Sequence, residues 1–469
     1  LGDVYKRQDP HQMKDMDRLV EILAQKIRKQ VHIRIIGDYD VDGVTSSHLF
    51  LTALRRVGAK VDVVIPHRIQ DGYGLSLHLL QQAKEDGVDT ILTCDNGIAA
   101  IDEIAWAKAQ KMTVLVTDHH AVPFEEHEGR RTEKKSLADA VVNPHQQDCG
   151  YPYKELCGAG VAWNVIRVLY ENYDMDKREA EDLLDFVAMA TVCDVMSLTG
   201  ENRILVKEGL KRIRHTKNIG LQALMQACNV QPENISAYHF GYVLGPCVNA
   251  TGRLDTARHA LRLFETGQET EAEEIARDLV DLNQERKELT LQGVEMAKKL
   301  CEEGGYENDP ILVLFLPDVH ESIAGLIAGR IREMYNRPVF VLTRGEEGVK
   351  GSGRSTENYS MYENMCGCAE LFTKFGGHPM AAGLSLPEEN VEKFRRKINE
   401  NCPLTVEEVC PDIHIDMAMT VGYASTELVH QFALLEPFGK DNPSPLFADR
   451  NLSISRMWVI GKNRNVLRM

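Results

Sequence analysis

The sequence has no long hydrophobic run, which argues against a membrane-spanning protein. The longest purely apolar stretches, such as residues 311–316, fall far short of the roughly 20 residues that a helix needs to cross a bilayer. The chain also opens without the pattern of a secretory signal peptide. We therefore expect a cytoplasmic protein.

Paired cysteine motifs are also missing. The eleven cysteines are scattered from Cys94 to Cys410 without a CxxC pair, so neither a disulfide framework nor a structural zinc site is expected. Cys366 and Cys368 form a lone CxC, which is a weak sign of metal binding. We expect the thiols to be reduced.

Two common catalytic signatures are absent. The chain contains no GxxxxGK(S/T) loop, which argues against phosphoryl transfer by a P-loop, and no GxSxG elbow, which argues against acyl chemistry of the hydrolase type. With 70 acidic against 54 basic residues, the net charge of −16 disfavours non-specific binding to nucleic acid. It does not exclude a nuclease, because carboxylates that hold divalent metals contribute negative charge to the metal-free chain.

The composition is that of a globular protein of several domains. The 469 residues are 43% hydrophobic and only 6% aromatic, with 35 glycines and 17 prolines, which excludes disorder, collagen and coiled coil as global descriptions. This length predicts two to four domains. Residues 1–8 match no later pattern and are expected to be an artefact, and the lead-in 1–30 contains a helix over 15–30.

The first large segment, residues 31–265, predicts an α/β fold. Short β-branched runs alternate with helical periodicity, and later the segment becomes mostly helical, from 159 to 265. Such alternation indicates a parallel sheet with helices on both faces. The expected strands are 31–36, 61–65, 90–94, 113–117 and 140–142, and the expected helices between them include 44–56, 75–85 and 99–110.

The rest of the chain divides into three parts. Residues 268–303, within a connecting segment 266–305, have few helix breakers and many Glu, Lys and Leu, which predicts one long helix between two lobes. A second, smaller α/β lobe is expected over 306–401, with strands 311–316 and 339–342 around a helix 322–335. Alternation in 412–417 and 452–459 predicts a small β domain over 405–469, which we expect to be incomplete.

Acidic and imidazole side chains follow three of the predicted strands. Asp38, Asp40 and Asp42 come after the first strand, Asp95-Asn96-Gly97 follows the third, and Asp118-His119-His120 follows the fourth. In an open parallel sheet, ligands bind beyond the carboxyl ends of the strands, so these side chains should meet at one rim. Asp194, after an apolar helical run, is a further candidate.

A calcium loop is a competing interpretation of the first motif. Asp38 to Gly43 fits the first half of an EF-hand, but the twelfth loop position is Leu49 rather than Glu, and a strand rather than a helix precedes it. Capping aspartates are the ordinary alternative for a single motif, though not for three successive strand ends. Oxygen and imidazole donors without thiolate favour Mn²⁺ or Mg²⁺, and so many carboxylates imply two ions. The chemistry indicated is phosphoester hydrolysis.

These motifs resemble those of the DHH phosphoesterase superfamily. The resemblance rests on Asp38 to Gly43, Asp95-Asn96-Gly97 and Asp118-His119-His120, and it extends over about residues 31–460. Further matching segments are 191–195, 200–203, Gly245 to Arg253, and Gly376 to Gly383. Within the superfamily the chain is similar to single-strand-specific 5′→3′ DNA exonucleases of recombination and repair. This implies a DHH catalytic domain, a DHHA1 substrate-binding domain and the start of an OB-fold, with sequence missing at both ends.

The resemblance also implies roles for individual residues. The implied metal ligands are Asp38, Asp40, Asp42, Asp95, His119 and Asp194, with Asp95 bridging two ions and His120 facing the scissile phosphate. Asp95, His119 and His120 would form the catalytic set. Cys193 stands where these relatives often have Ala, a substitution that should be tolerated.

DNA contacts are expected in both lobes. Gly351 to Ser355 combines glycines that let backbone N–H groups approach a phosphate with an arginine that can hold it. By the resemblance, Ser352 and Arg354, with Arg68 and Arg253 from the first lobe, would bind the 5′-terminal phosphate. We expect His378, in a turn or loop of small residues, to contact phosphate as well, and Tyr73 either to stack on a base or to be buried.

Three functions stay open at this level. The first is an exonuclease that releases 5′-mononucleotides from single-stranded DNA, acting as a monomer with single-strand-binding protein and a helicase as partners implied by the family. The second is a phosphodiesterase for very short oligonucleotides or cyclic dinucleotides. The third is a DHH protein that binds DNA without catalysis, which usually lacks some of the metal ligands present here.

Overall fold

The fold is described by a computed structural model. It describes residues 7–67, 71, 74–127, 130–254, 256–306, 309–345, 348–400, 402, 404, 413–461, 464 and 466–469. Within these residues no helix is both long enough and apolar enough to cross a membrane.

The first lobe is built on a five-stranded parallel sheet with the strand order β2-β1-β3-β4-β7. A separate antiparallel hairpin, β5–β6, projects from it. The strands are β1 (Ile33–Ile36), β2 (Val61–Val64), β3 (Thr90–Cys94), β4 (Thr113–Thr117), β5 (Phe124–His127), β6 (Arg130–Glu133) and β7 (Ala140–Val142).

Helices cover both faces of this sheet and continue as a helical layer. They are α1 (Met16–Arg28), α2 (Val41–Arg56), α3 (Leu77–Glu85), α4 (Ile101–Ala109), α5 (Gly158–Asn172), α6 (Arg178–Glu181), α7 (Leu184–Cys193), α8 (Gly200–Ile213), α9 (Ile219–Ala227), α10 (Ala237–His239), α11 (Gly245–Leu254) and α12 (Ala257–Glu265). A π-helical turn, Phe240–Leu244, joins α10 to α11. The largest core cluster packs α1, α2, α5 and α7 against the sheet, with Trp163 and Phe50 fully buried.

One long helix, α13 (Glu269–Glu303), leads to the second lobe. It has no proline, and its single glycine, Gly293, lies where a Cβ atom would stand 2.3 Å from Ile327 Cδ1 of the second lobe. Close packing of the second lobe on α13 therefore depends on this glycine. Helices α9 and α11 of the first lobe also pack on α13.

The second lobe is a mixed five-stranded sheet with the order β11-β12-β10-β9-β8. Only the β8–β9 pair is parallel. Its elements are β8 (Leu312–Phe315), α14 (Glu321–Tyr335), β9 (Val339–Arg344), β10 (Val349–Arg354), α15 (Met361–Cys366), β11 (Lys374–His378), β12 (Ala381–Leu386) and α16 (Val391–Glu400). The C-terminal segment adds β13 (Met417–Ala418), α17 (Thr426–Phe432), β14 (Phe447–Ala448), β15 (Trp458–Ile460) and β16 (Val466–Arg468).

The α/β class expected from the sequence is confirmed, and three of the five expected strands of the first sheet have the predicted bounds. One element was not foreseen, and two local expectations were wrong. The hairpin β5–β6 was not expected, because its sequence is charged and lacks an apolar alternation. Residues 376–378 belong to the edge strand β11 rather than to a turn, and residues 452–457 form no strand because they are exposed and have no ladder partner among the described residues. Asp412 lies outside the described residues.

Candidate active site

The turn between β1 and α2 presents the first three aspartates. Asp40 caps α2, since its Oδ1 accepts a hydrogen bond from Gly43 N–H at 3.0 Å. Asp42 points to the start of α5, where its carboxylate accepts from Gly158 N–H at 2.5 Å and Ala159 N–H at 2.7 Å. A helix N-terminus carries partial positive charge, so it stabilises this buried carboxylate.

Asp95 follows β3 in a strained backbone conformation. Its φ is +62°, in the left-handed region that non-glycine residues seldom adopt. A Cβ atom on Gly158 would lie 2.6 Å from Asp95 Cβ and 3.0 Å from Asp42 Oδ2. The glycine at the start of α5 therefore lets these two carboxylates sit side by side.

The motif after β4 is organised by Asp118. Its carboxylate accepts hydrogen bonds from Ile98 N–H at 2.9 Å, His119 N–H at 2.7 Å and His120 N–H at 3.0 Å. It also lies 2.8 Å from His120 Nδ1. Asp118 thus fixes both the loop and the orientation of the His120 ring.

His119 lies at the centre of the cluster. Its Nε2 is 3.1 Å from Asp95 Oδ1, 3.6 Å from Asp194 Oδ2 and 3.7 Å from Asp42 Oδ2. Asp194 comes from the carboxyl end of α7. The side chains of His120 and Asp194 are 41% and 25% exposed, so they mark the open side of an otherwise buried cluster.

The donor atoms form groups with the spacing of metal ligands. Each group has its donor atoms within 4.8 Å of one another, and the groups are Asp38, Asp40 and Asp95; Asp42, His119 and Asp194; and Asp95, His119 and His120. The first two groups share no residue. The third joins them through Asp95 and His119.

The charged forms of four aspartates of the cluster are disfavoured. Burial, followed by repulsion from Asp40 or Asp42, raises the pKa of Asp38, Asp95 and Asp194 well above the usual range. The pKa of Asp40 is raised for the same reasons. Such a site gains most from a bound cation, which removes the repulsion.

The two histidines differ. Burial lowers the pKa of His119, which keeps its ring neutral and able to coordinate a cation. Burial also acts to lower the pKa of His120, but the hydrogen bond and charge of Asp118 outweigh it and raise this pKa to about 9. Burial acts to raise the pKa of Asp118, but the hydrogen bond and charge of His120 outweigh it and lower this pKa.

The donor set fits hard divalent cations. Asp38 Oδ1 and His119 Nε2 are buried atoms with no hydrogen-bond partner among the described residues, as expected of groups that face an ion. Cys94 and Cys157 border the cluster, but burial raises the pKa of both thiols, that of Cys94 to about 12. Carboxylate and imidazole donors without thiolate suit Mn²⁺ or Mg²⁺.

A cavity of about 400 Å³ lies in the second lobe, beside the first lobe. Ser322, Ser352 and Gly376 are among its lining residues. Arg253, at the end of α11, crosses between the lobes and donates from Nη1 to Ser322 O at 2.6 Å. The structure therefore brings Arg253 and Ser352 to the same border.

Arg354 and His378 share one row of the second sheet. The register pairs Arg354 with Ala381, and Ala381 with His378, so the three residues face the same side. Arg354 Nη1 donates to Gly353 O at 2.7 Å, and a Cβ atom on Gly325 would lie 2.9 Å from Nη2. The glycine on α14 makes room for the guanidinium group.

Two of the predicted site residues lack a described position, and three contributions to the site were not predicted. Arg68 and Tyr73 lie outside the described residues. The sequence interpretation did not single out Gly158, Asn249 or the role of Asp118 in holding His120. Asn249 Oδ1 accepts from Val41 N–H at 3.1 Å and ties α11 to the first aspartate turn. The sequence does contain their signals, Gly158-Ala159-Gly160 at the start of an apolar helix and the Asn-Ala-Thr-Gly run of α11.

A parallel sheet with Asp and His at successive strand ends, joined by a long helix to a second α/β lobe, defines a DHH phosphoesterase. The chain matches the family model "DHH family, N-terminal domain" over residues 32–191 and the "DHHA1 domain" over 308–402. Residues 415–469 match the "RecJ OB domain". The chain belongs to the RecJ family of single-stranded-DNA-specific exonucleases.

Its relatives support this assignment. It is 35% identical over 481 residues to the single-stranded-DNA-specific exonuclease RecJ of Haemophilus influenzae, a match that covers 98% of this chain and 82% of that protein. It is 34% identical over 465 residues to RecJ of Bacillus subtilis, covering 98% of this chain but only 57% of the relative's length.

Solved structures agree with the fold. The structure of RecJ in complex with Mn²⁺ from Thermus thermophilus is 29% identical, with a TM-score of 0.79, covering 95% of this chain and 64% of that one. Another, of exonuclease RecJ bound to manganese, is 31% identical, with a TM-score of 0.71 and coverage of 85% and 96%.

Proposed function

We propose that this chain is a metal-dependent exonuclease that degrades single-stranded DNA in the 5′→3′ direction to 5′-mononucleotides, in recombination and repair. The observation that carries the proposal is the pair of adjoining donor groups, linked through Asp95 and His119, on the open rim of a parallel sheet. The names of the relatives and the Mn²⁺ and Mg²⁺ in related RecJ structures support it.

Two divalent cations, Mn²⁺ or Mg²⁺, would be held by these groups. Asp38 and Asp40 would hold one, Asp42, His119 and Asp194 the other, and Asp95, which belongs to two of the groups, would bridge them. When bound, a pair of divalent ions lowers the pKa of a water and stabilises charge on a phosphoryl group. The start of α5 holds the carboxylate of Asp42 in place for this purpose.

His120 would contact the scissile phosphate. It lies on the exposed side of the cluster, and Asp118 fixes the orientation of its ring through Nδ1. An oriented imidazole at this place stabilises negative charge on the phosphate oxygen. Asp118 is thereby a positioning residue for His120.

Directionality would come from the border between the lobes. Arg253, Ser352 and Arg354, with Arg68 and His378, would bind the 5′-terminal phosphate, since guanidinium groups and small hydroxyl residues suit a phosphate dianion. A groove between two lobes that are joined by one long helix, α13, admits a single strand more readily than a duplex. Single-strand-binding protein and a helicase are proposed partners of a monomer acting in the cytoplasm.

The test is the digestion of a 40-mer carrying a label at its 5′ or its 3′ end, with and without Mn²⁺. The proposal expects a 5′ label to appear at once as a mononucleotide, and a 3′ label to pass through a ladder of shortening products. The matching duplex should be resistant. Products released only from oligomers of a few nucleotides would instead support a short-oligonucleotide phosphodiesterase.

Asp95→Ala is the matched variant, because Asp95 joins two donor groups. It should reduce hydrolysis to background at every Mn²⁺ concentration. Asp139→Asn is its control, since Asp139 bonds Lys108 and Val114 away from the cluster. Full activity of Asp95→Ala would contradict the proposal.

A further inference from the structure

An exposed pair of stacked tyrosines lies beside the acidic cluster. Tyr238 and Tyr242 are 62% and 71% exposed, and their rings stack with centroids 5.1 Å apart and an angle of 24°. Large exposed aromatic rings are costly to leave in water and are frequent where proteins bind single-stranded nucleic acid. We therefore expect a bound molecule to cover these two rings.

The chain has a local reason to present these rings. Pro246 has no N–H to donate to the carbonyl of Tyr242, and its ring crowds that carbonyl, so an ordinary helix is disfavoured here. The backbone widens into the π-helical turn Phe240–Leu244, closed by a bond from Gly245 N–H to Phe240 O. Such turns occur frequently at functional sites.

The widened turn is packed against the metal-binding end of α7. Cys193 Sγ lies 3.3 Å from Phe240 O, and a Cβ atom on Gly245 would collide with this sulfur at 2.3 Å. The next residue after Cys193 is Asp194, whose carboxylate belongs to the cluster. The turn that carries the tyrosine pair is thus packed on the residue next to Asp194.

The pair opens on a cavity of about 700 Å³. Its lining includes Tyr238, Tyr242 and two cationic residues, Arg214 and Lys440, with Glu436 as the one acidic side chain among the described lining residues. Leu198 N–H donates to Lys440 O at 2.9 Å, which brings the C-terminal segment against the residues that follow Asp194. Aromatic rings beside two cations suit a nucleobase and its backbone phosphates.

Helix α11 relates this cavity to the pocket for the 5′ end. Its first residue, Gly245, touches Cys193, its middle residue Asn249 bonds the aspartate turn at Val41, and its last turn carries Arg253 to Ser322. Its ten residues span about 15 Å. The tyrosine pair and the phosphate pocket therefore lie toward opposite ends of one helix, with the acidic cluster between them.

We propose that Tyr238 and Tyr242 form a stacking platform for bases of the single strand on the 3′ side of the scissile phosphate, with Arg214 and Lys440 holding the adjoining phosphates. This inference rests on the proposed exonuclease function. With the 5′ phosphate at the Arg253 end of α11, the downstream strand leaves the cluster at the Tyr242 end. The platform holds the strand in place between successive cuts.

Binding is measured first, with a 5′-phosphorylated dT 20-mer in EDTA at low salt, where nothing is hydrolysed. The double variant Tyr238→Ala/Tyr242→Ala should weaken binding about tenfold, the size expected for the loss of base stacking. Tyr238→Phe/Tyr242→Phe keeps the rings and should bind within twofold of the wild type. Leu291→Ala, which removes an exposed side chain from α13, is the second control.

An abasic scan then locates the platform. Removing one base at a time from the 20-mer should weaken binding to the wild type at one or two interior positions, and these losses should vanish in the double alanine variant. In Mn²⁺, the double variant should hydrolyse the 20-mer with a raised KM.

Unchanged binding by the alanine variant, or abasic losses that persist in it, would overturn the inference and point to a protein partner for this surface. An equal loss in the Phe variant would also overturn it, since stacking needs only the rings. Failure of the wild type to hydrolyse the 20-mer would instead count against the exonuclease function itself.

Discussion

Asp118 shows how one residue decides the chemistry of its neighbour. In the sequence it is only one member of a motif, but the structure gives it four hydrogen-bonding contacts that hold the loop and the His120 ring. A sequence pattern predicts that an Asp follows a strand. It does not predict which side chain that Asp will hold, because this depends on loop geometry.

Asp118→Asn tests this role. The amide removes the negative charge next to His120 Nδ1 while keeping one acceptor for the backbone. Loss of such a supporting partner typically costs 10- to 100-fold in activity, and we expect a fall of about this size in kcat on single-stranded DNA. Asp139→Asn, near the amino-terminal ends of β4 and β7, should leave kcat unchanged. Wild-type kcat in Asp118→Asn would show that His120 needs no such support.

Asp185 is a buried carboxyl group away from the cluster, on the first turn of α7. It is 3% exposed, accepts bonds from Thr216 O–H at 2.6 Å and Phe186 N–H at 2.8 Å, and burial raises its pKa to about 6. Because this pKa is higher in the folded than in the unfolded chain, its contribution to stability is full at low pH and is lost as the pH rises through about 6.

Asp185→Asn should therefore gain stability relative to the wild type between pH 5 and pH 8, by about 1 kcal/mol. Urea unfolding at the two pH values measures this difference. Asp102→Asn, an exposed substitution on the first turn of α4, should show no such change. A constant difference between the pH values for Asp185→Asn would mean that this carboxyl stays charged.

At the level of elements, the sequence predicted the strands and their acidic ends well. Apolar β-branched runs end in Asp-rich turns, and the carboxyl ends of parallel strands meet by the geometry of the sheet. The contributions of α5 and α11 were not foreseen. Gly158 and Asn249 reach the cluster from 63 and 154 residues beyond Asp95 (158 − 95 and 249 − 95), and periodicity carries no information on such long-range packing.

Gly158→Ala tests the place of α5 in the site. The added methyl group would stand 2.6 Å from Asp95 Cβ, so either the helix start or the carboxylates must shift. We expect Mn²⁺ affinity, measured by calorimetry, to fall at least tenfold. Gly329→Ala in α14 meets no atom within 4 Å and should leave Mn²⁺ binding unchanged. Equal affinities in the two variants would separate α5 from the metal site.

At the scale of the whole molecule, the sequence predicted two lobes and the long helix that connects them. It did not predict the contacts between the lobes. The long helix follows from a run without proline, whereas the bond from Arg253 to Ser322 depends on how the lobes pack. The proposed recognition of the 5′ end needs both lobes. It is therefore a property that neither lobe has alone.

Arg354→Ala should affect substrates according to their 5′ end. We expect kcat/KM to fall about tenfold for a 5′-phosphorylated strand and little for a 5′-hydroxyl strand, because a charge-assisted bond is lost only with the first. Arg344→Ala is the matched control, since Arg344 lies on the same lobe but pairs with Glu388. Equal losses on both substrates would argue against a 5′-phosphate contact.

The proposed ligands are spread from Asp38 to Asp194, and this separation ties metal supply to the survival of the protein. An unfolded chain scatters these groups, whereas the folded chain crowds them, so a bound divalent ion favours the folded chain by mass action. When divalent ions are scarce, a larger fraction of the molecules would be unfolded at any moment. Proteases would then degrade the metal-free, unfolded molecules first. The amount of the protein would therefore follow the supply of its metal.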